Sequence, residues 1–197
     1  MNKFSKETAK NFYFTSDTHF NHENILSFCN RPFSSIREHD ECLIKNWNEK
    51  VPKDGIVFHL GDVGFGNNQY IKEILDQLNG EIWLVVGNHD MKSIISQHKK
   101  RFHIMAQQMS MTVGNQIIIM NHCPLLCFAG SYKKNPAWQL FGHVHSGPRS
   151  NKGLDLPRLD VLFPTQYDVG VDNNNYTPIS YEELETIMKE RVNNAKL

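Results

Sequence analysis

Short apolar runs recur along the first three quarters of the chain, and each is followed at once by a polar cluster. Phe12-Tyr13-Phe14, Ile56-Val57-Phe58, Ile82 to Val86, Ile117 to Met120 and Leu140-Phe141 have strand length and strand composition. The first strand is expected over Asn11 to Thr15, the second to end at Asp62 and the third at Gly87. Between them the spacing predicts helices. A short one runs through Phe28. A longer one is capped by Ser34 or Ser35 and runs to about Glu49, with Ile36, Leu43, Ile44 and Trp47 on one side. A third covers Gln69 to Leu78 and is closed by Asn79-Gly80. Past Asp90 the pattern changes. Lys92 to Arg101 reads as a basic helix, and Ser110 to Val113 with Gln116 to Met120 reads as a hairpin about Gly114-Asn115. A late strand is expected at Tyr167 to Val171. Ser180 and Glu183 form a capping box that opens a last helix to about Val192. Helices alternating with strands, followed by hairpin strands, predict an α/β sandwich of two mixed β-sheets flanked by helices. No repeat, low-complexity stretch or proline-rich linker divides residues 1–197, so one domain without a separate cap domain is expected.

The polar clusters carry the chemistry. In order they are Asp17-Thr18-His19, Gly61-Asp62, Gly87-Asn88-His89-Asp90, His122 and Gly142-His143-Val144-His145. Open sheets bind ligands at the carboxyl ends of their strands, so five such ends would converge on one volume. Carboxylate, amide and imidazole donors suit divalent Mn, Fe, Ni, Co or Zn. Asp17 and His19 are two apart, which in a regular strand places them on one face. An isolated Asp-x-His or Gly-Asp is commonly a surface turn; the ordered set of five is what points to a metal centre.

Composition narrows the function classes. Of 197 residues, 40% are hydrophobic, and 21 basic residues balance 21 acidic ones. Global charge therefore gives no attraction to nucleic acid or membrane. Met1 to Lys10 is polar and does not read as a secretory signal, and no run approaches the roughly 18 apolar residues of a membrane span. A soluble, cytoplasmic protein with reduced thiols at Cys29, Cys42, Cys123 and Cys127 is expected. The chain has ten histidines, five of them inside the clusters.

In these motifs the chain resembles the calcineurin-like metallophosphoesterase superfamily. Asp17 to Ile25 with Phe28 to Phe33, and Asp168 to Asp172 with Asn175 to Ser180, resemble a small bacterial and phage branch of it. The resemblance implies that Asp17, His19 and His145 bind one metal, that Asn88, His122 and His143 bind a second, and that Asp62 bridges them. It implies two divalent ions, Mn foremost, and a shared hydroxide attacking phosphorus in line. It assigns His89 to protonating the leaving oxygen, with Asp90 orienting that ring. Asp90 also fits a helix N-cap. The implied substrates are phosphoesters, small phosphodiesters or nucleotides first, with DNA or RNA as the alternative and a non-catalytic scaffold as the reading from another class.

Four further residues are candidate substrate contacts. His22 lies in the loop after the first ligand pair, where it either meets substrate or braces the next helix. Arg31 could grip a phosphate with its fork or form a surface salt bridge. Lys133 and Lys134 lie in a loop between two expected ligands. His59 reads as a core histidine. His98 to His103 is a dense basic run, read as a solvated helix face or a nucleic-acid guide.

Overall fold

The protein is described by a computed structural model covering residues 2–66, 68–90, 94, 97–149 and 156–195. Its strands are β1 (Asn2–Phe4), β2 (Phe12–Thr15), β3 (Ile56–His59), β4 (Glu81–Val85), β5 (Phe102–Ala106), β6 (Gln108–Val113), β7 (Gln116–Asn121), β8 (Trp138–Phe141), β9 (Gln166–Asp168) and β10 (Ile179–Ser180). Its helices are α1 (Lys6–Ala9), α2 (Asn24–Phe28), α3 (Ile36–Lys50), α4 (Asn68–Gln77) and α5 (Tyr181–Asn194). Among the described residues the strands form two five-stranded sheets, β1-β6-β7-β8-β9 and β10-β2-β3-β4-β5. Both are mixed: β6 and β7 pair antiparallel in the first and β10 and β2 in the second, while the remaining neighbours run parallel.

The apolar runs are continuous because the second sheet is buried on both faces. Phe12, Phe14, Phe58 and Val85 point between the sheets, meeting Met111, Val113, Ile118, Met120 and Leu140 of the first. Tyr13, Val57, Ile82 and Leu84 point the other way, onto Leu43 and Trp47 of α3 and Ile71, Ile74 and Leu75 of α4. Successive strand residues thus serve opposite faces. Helix α5 closes the gap between the sheets with Tyr181, Leu184 and Met188. Both expected caps form. Ser35 accepts from Glu38 N at the start of α3, and Ser180 with Glu183 makes the reciprocal box at α5.

The structure differs from the sequence expectations at four places. The polar start of the chain contributes β1, which pairs in parallel with β6. The basic helix expected over Lys92 to Arg101 falls partly outside the described residues. Ile94, Gln97 and His98 are helical, and Lys99–Arg101 form a 3-10 turn. Phe102 then opens the edge strand β5 rather than ending a helix. The strand expected over Tyr167 to Val171 is shorter, with Gly170 making only an isolated bridge to Ser16.

Candidate metal centre

Strands β2, β3, β4, β7 and β8 deliver the five motifs to one end of the sandwich. Just past the strands the chain bends sharply. Asp17, His19, Asp62, His143 and His145 all adopt φ between 50° and 71°, a region costly for residues with a side chain and found where function over-determines the backbone. Asp17 and His19 therefore meet through two left-handed turns, not by sharing a strand face as the spacing implied. Backbone bonds clamp these turns: Asp17 N donates to Gly61 O, His19 N to Asp62 O and Gly142 N to His122 O. Two motif glycines are required by close approach. A side chain at Gly87 would collide with the Asp62 carboxylate, and one at Gly142 with that of Asp17.

Two groups of donor atoms result. In the first, Asp17 Oδ1 lies 3.8 Å from both His19 Nε2 and His145 Nε2. In the second, Asp62 Oδ2 lies 3.4 Å from His122 Nε2, which is 2.9 Å from Asn88 Oδ1. His143 faces His122 with ring centroids 5.0 Å apart. Asp62 Oδ2 is also 3.7 Å from His19 Nε2, so it stands between the groups.

Three of the imidazoles, His122, His145 and His19, are oriented through their other nitrogen. His122 Nδ1–H donates to Leu60 O at 2.7 Å. His145 Nδ1 holds Asp172 Oδ2 at 2.7 Å. His19 Nδ1 meets His22 Nδ1 at 3.2 Å. Burial pushes His122 and His145 toward the neutral form, but the facing Asp62 and Asp17 carboxylates more than offset it, raising them to about 9 and about 11. Concentrated negative charge of this kind is what a divalent cation neutralises. Asp17 Oδ1 and His19 Nε2 are buried with no hydrogen-bond partner. Leaving such atoms unpaired costs free energy unless something binds them, and a cation accepts both. The donor set therefore fits divalent metal: Asp17, His19 and His145 on one side, Asn88, His122 and His143 on the other, and Asp62 between.

Comparison with known proteins places the chain. No family model matches it. The uncharacterized protein MJ1445 of Methanocaldococcus jannaschii is 34% identical over 178 residues, 89% of each chain. The chain belongs to one family with MJ1445. The solved structure of a protein of unknown function, AQ665 from Aquifex aeolicus, superposes with a TM-score of 0.69 at 24% identity, covering 89% of this chain and 98% of that one. A novel archaeal phosphodiesterase overlaps more loosely, with a TM-score of 0.44 and 16% identity over 69% of this chain and 74% of its own. The match to AQ665 shows a shared two-sheet fold.

Three expected roles change in the structure. Arg31 is buried and spends all five N–H groups internally: on both Asp172 oxygens, on the carbonyls of Asp17 and Thr18, and on His39 Nε2. It has no donor left for a phosphate and is not at the surface; it locks the first ligand loop to Asp172, and so to His145. Arg31→Met would strand Asp172 with His145 alone. The unfolding free energy is expected to fall by about 3–5 kcal/mol, checked by urea denaturation; an unchanged midpoint would contradict the lock. Asp90 does not orient His89. Its carboxylate accepts from Asp62 N, Val63 N and Gly87 N, stapling two ligand loops together. Lys133 and Lys134 are exposed in the loop after β7, and neither lines the cavities beside the centre.

His22 lies beside the site, its ring tilted against Phe65 with centroids 4.2 Å apart. Phe65 also packs on His19 and His89, at 5.5 and 4.9 Å. Sequence reading missed this aromatic floor, whose one signal is its place three residues after Asp62. His59 is a core histidine as expected. It accepts from Gly61 N at Nδ1, so Nε2 carries the proton given to Thr18 Oγ1. Burial depresses it to about 3. The unfolded chain takes up a proton below pH 6.5 that folded His59 refuses until about pH 3, so stability falls with pH across that window. The acid limb of a urea-stability profile is expected to be shallower in His59→Gln by up to about 1.4 kcal/mol per pH unit. Parallel profiles would contradict this.

Proposed function

We propose that the protein is a phosphoester hydrolase dependent on two divalent cations, Mn²⁺ foremost, acting in the cytoplasm on small phosphodiesters or nucleotides. One observation carries this reading: Asp17 Oδ1 and His19 Nε2 are buried, unpartnered and 3.8 Å apart, at the meeting point of five strand ends. A scaffold surface has no use for such a costly arrangement. Bound cations would supply Lewis-acid charge at the phosphoryl oxygens and activate water at neutral pH.

The chain's own residues do the rest. Asp62 holds the two donor groups together and, through Oδ1, fixes the His89 backbone N–H at 2.9 Å. The His89 side chain is 48% exposed, with Nε2 4.0 Å from Asp62 Oδ2. It is thus open to solvent above the donors, placed to deliver a proton to a departing alkoxide. The nucleic-acid alternative loses its basic patch in part. Arg101 turns inward onto the carbonyls of Leu75 and Leu78, and His103 pairs with Glu81.

The test is hydrolysis of bis-p-nitrophenyl phosphate and p-nitrophenyl phosphate by metal-stripped protein, with and without Mn²⁺. Mn-dependent turnover with the diester the faster substrate is expected. Failure of both esters with Mn²⁺, Ni²⁺, Co²⁺ and Zn²⁺ would overturn the reading.

A further inference from the structure

A cavity of about 420 Å³ opens directly beside His143. Pro124, Leu126, Val144, Leu159, Val161 and Leu162 line it beside His143, with no Asp, Glu, Lys or Arg among the described residues of its walls. Leu126 and Val161 leave 77% and 66% of their surface exposed. Single exposed aliphatic side chains are ordinary, but several gathered around one concavity mark a binding surface, and the volume lies within the range of small-molecule pockets. A second cavity of about 420 Å³ lies at Asn88 and His122, and there Gln107 and Asn121 present amides. Asn121 Oδ1 is a buried acceptor without a partner. Cys123 lines both cavities, between His122 and the apolar walls.

The metal centre is thus flanked by two cavities, both with mainly apolar walls, the second also presenting the amides of Asn88, Gln107 and Asn121. We propose that the pocket at Leu126, Val161 and Leu162 binds an apolar ester group, alkyl or aryl, of a soluble phosphodiester substrate. The inference rests on the phosphoesterase reading and adds the substrate class. The occupant is taken as part of the substrate because His143, one of the metal-donor residues, is itself a wall of the pocket.

The experiment is a series of alkyl p-nitrophenyl phosphates, methyl to hexyl, assayed with the Mn-loaded full chain below their micelle concentrations. kcat/KM is expected to rise about two- to fourfold per methylene up to butyl, the upper value corresponding to the ~0.8 kcal/mol of a buried CH₂. In Leu126→Ser and Val161→Ser, both solvent-exposed positions, the butyl-to-methyl ratio is expected to drop several-fold. A flat series in the wild type, with the methyl ester turned over, would overturn the pocket and leave the hydrolase reading standing. A rise seen only on micelles or vesicles would overturn it in favour of a lipid surface. If no ester is turned over, p-nitrophenyl phosphate included, the hydrolase reading falls. The pocket is then decided by alkylation of Cys123 with iodoacetamide. Protection by dibutyl but not dimethyl phosphate upholds it, and protection by neither overturns it.

Discussion

Asp62→Ala is expected to lose both cations and at least about a thousandfold of the hydrolysis rate, the several kcal/mol that metal ions supply to a phosphoryl transition state. The expectation follows from where the carboxylate sits. Its Oδ2 faces His122 Nε2 at 3.4 Å and His19 Nε2 at 3.7 Å, one from each donor group. Asp17 also lies near Asp62 and His122, but it spends Oδ2 on the backbone N–H of His143 and turns Oδ1 toward His19 and His145. Removing Asp62 leaves two half-sets of mostly neutral donors. The substitution also frees the His89 backbone, whose N–H Asp62 Oδ1 accepts. Asp62→Asn keeps that bond and removes the charge, so equal metal loss in the two variants would assign the effect to the charge. Metal content per chain by elemental analysis reads it; two ions retained would contradict the bridging role.

His89→Ala is expected to keep its metals and still lose roughly 10²- to 10⁴-fold in turnover, the usual range for a general acid. The hydrogen bond to Asp62 comes from the His89 backbone; the ring reaches Asp62 Oδ2 only at 4.0 Å, packs on Phe65 and is half exposed, so its removal leaves the donors in place. The loss should depend on the leaving group. An alkoxide needs a proton to depart and p-nitrophenolate does not, so the full effect is expected on alkyl or nucleotide esters and a much smaller one on p-nitrophenyl esters. Metal content that fell with activity would make His89 a ligand. An equal loss on both ester types would remove it as the acid.

The parts of this account that were legible in the sequence are local. Ser35 before α3 and the Ser180–Glu183 box before α5 satisfy helix-end groups within four residues, so the pattern alone locates both helices. The β2, β3 and β4 runs stand out because both faces of their sheet are covered. Strand β5 was hidden because it lies at a sheet edge with His103 and Ile104 exposed, so its pattern continued the preceding basic run. Strand β1 was hidden because three residues paired at a sheet edge need little apolar character. At the site, the motifs pointed to one locus, yet the way they meet was not visible. Two positions of spacing suggest a strand face for Asp17 and His19, whereas the chain reaches the same end by left-handed turns. Long-range roles were beyond a single sequence. Arg31 and Asp172 are 141 positions apart, and Asp90 looked like a partner of its neighbour until its three backbone donors were seen.

Among the described residues no helix is long and apolar enough to cross a membrane, and no disulfide joins the four cysteines. Metal-free protein can therefore be prepared with chelator under reducing conditions without disturbing a covalent link. The most direct measurement titrates that protein with Mn²⁺ while following bis-p-nitrophenyl phosphate hydrolysis and bound metal together. Turnover that is absent at first, appears with metal and saturates at two ions per chain is the predicted result. Turnover indifferent to metal, or none with two ions bound on this or any other phosphoester, would contradict the account.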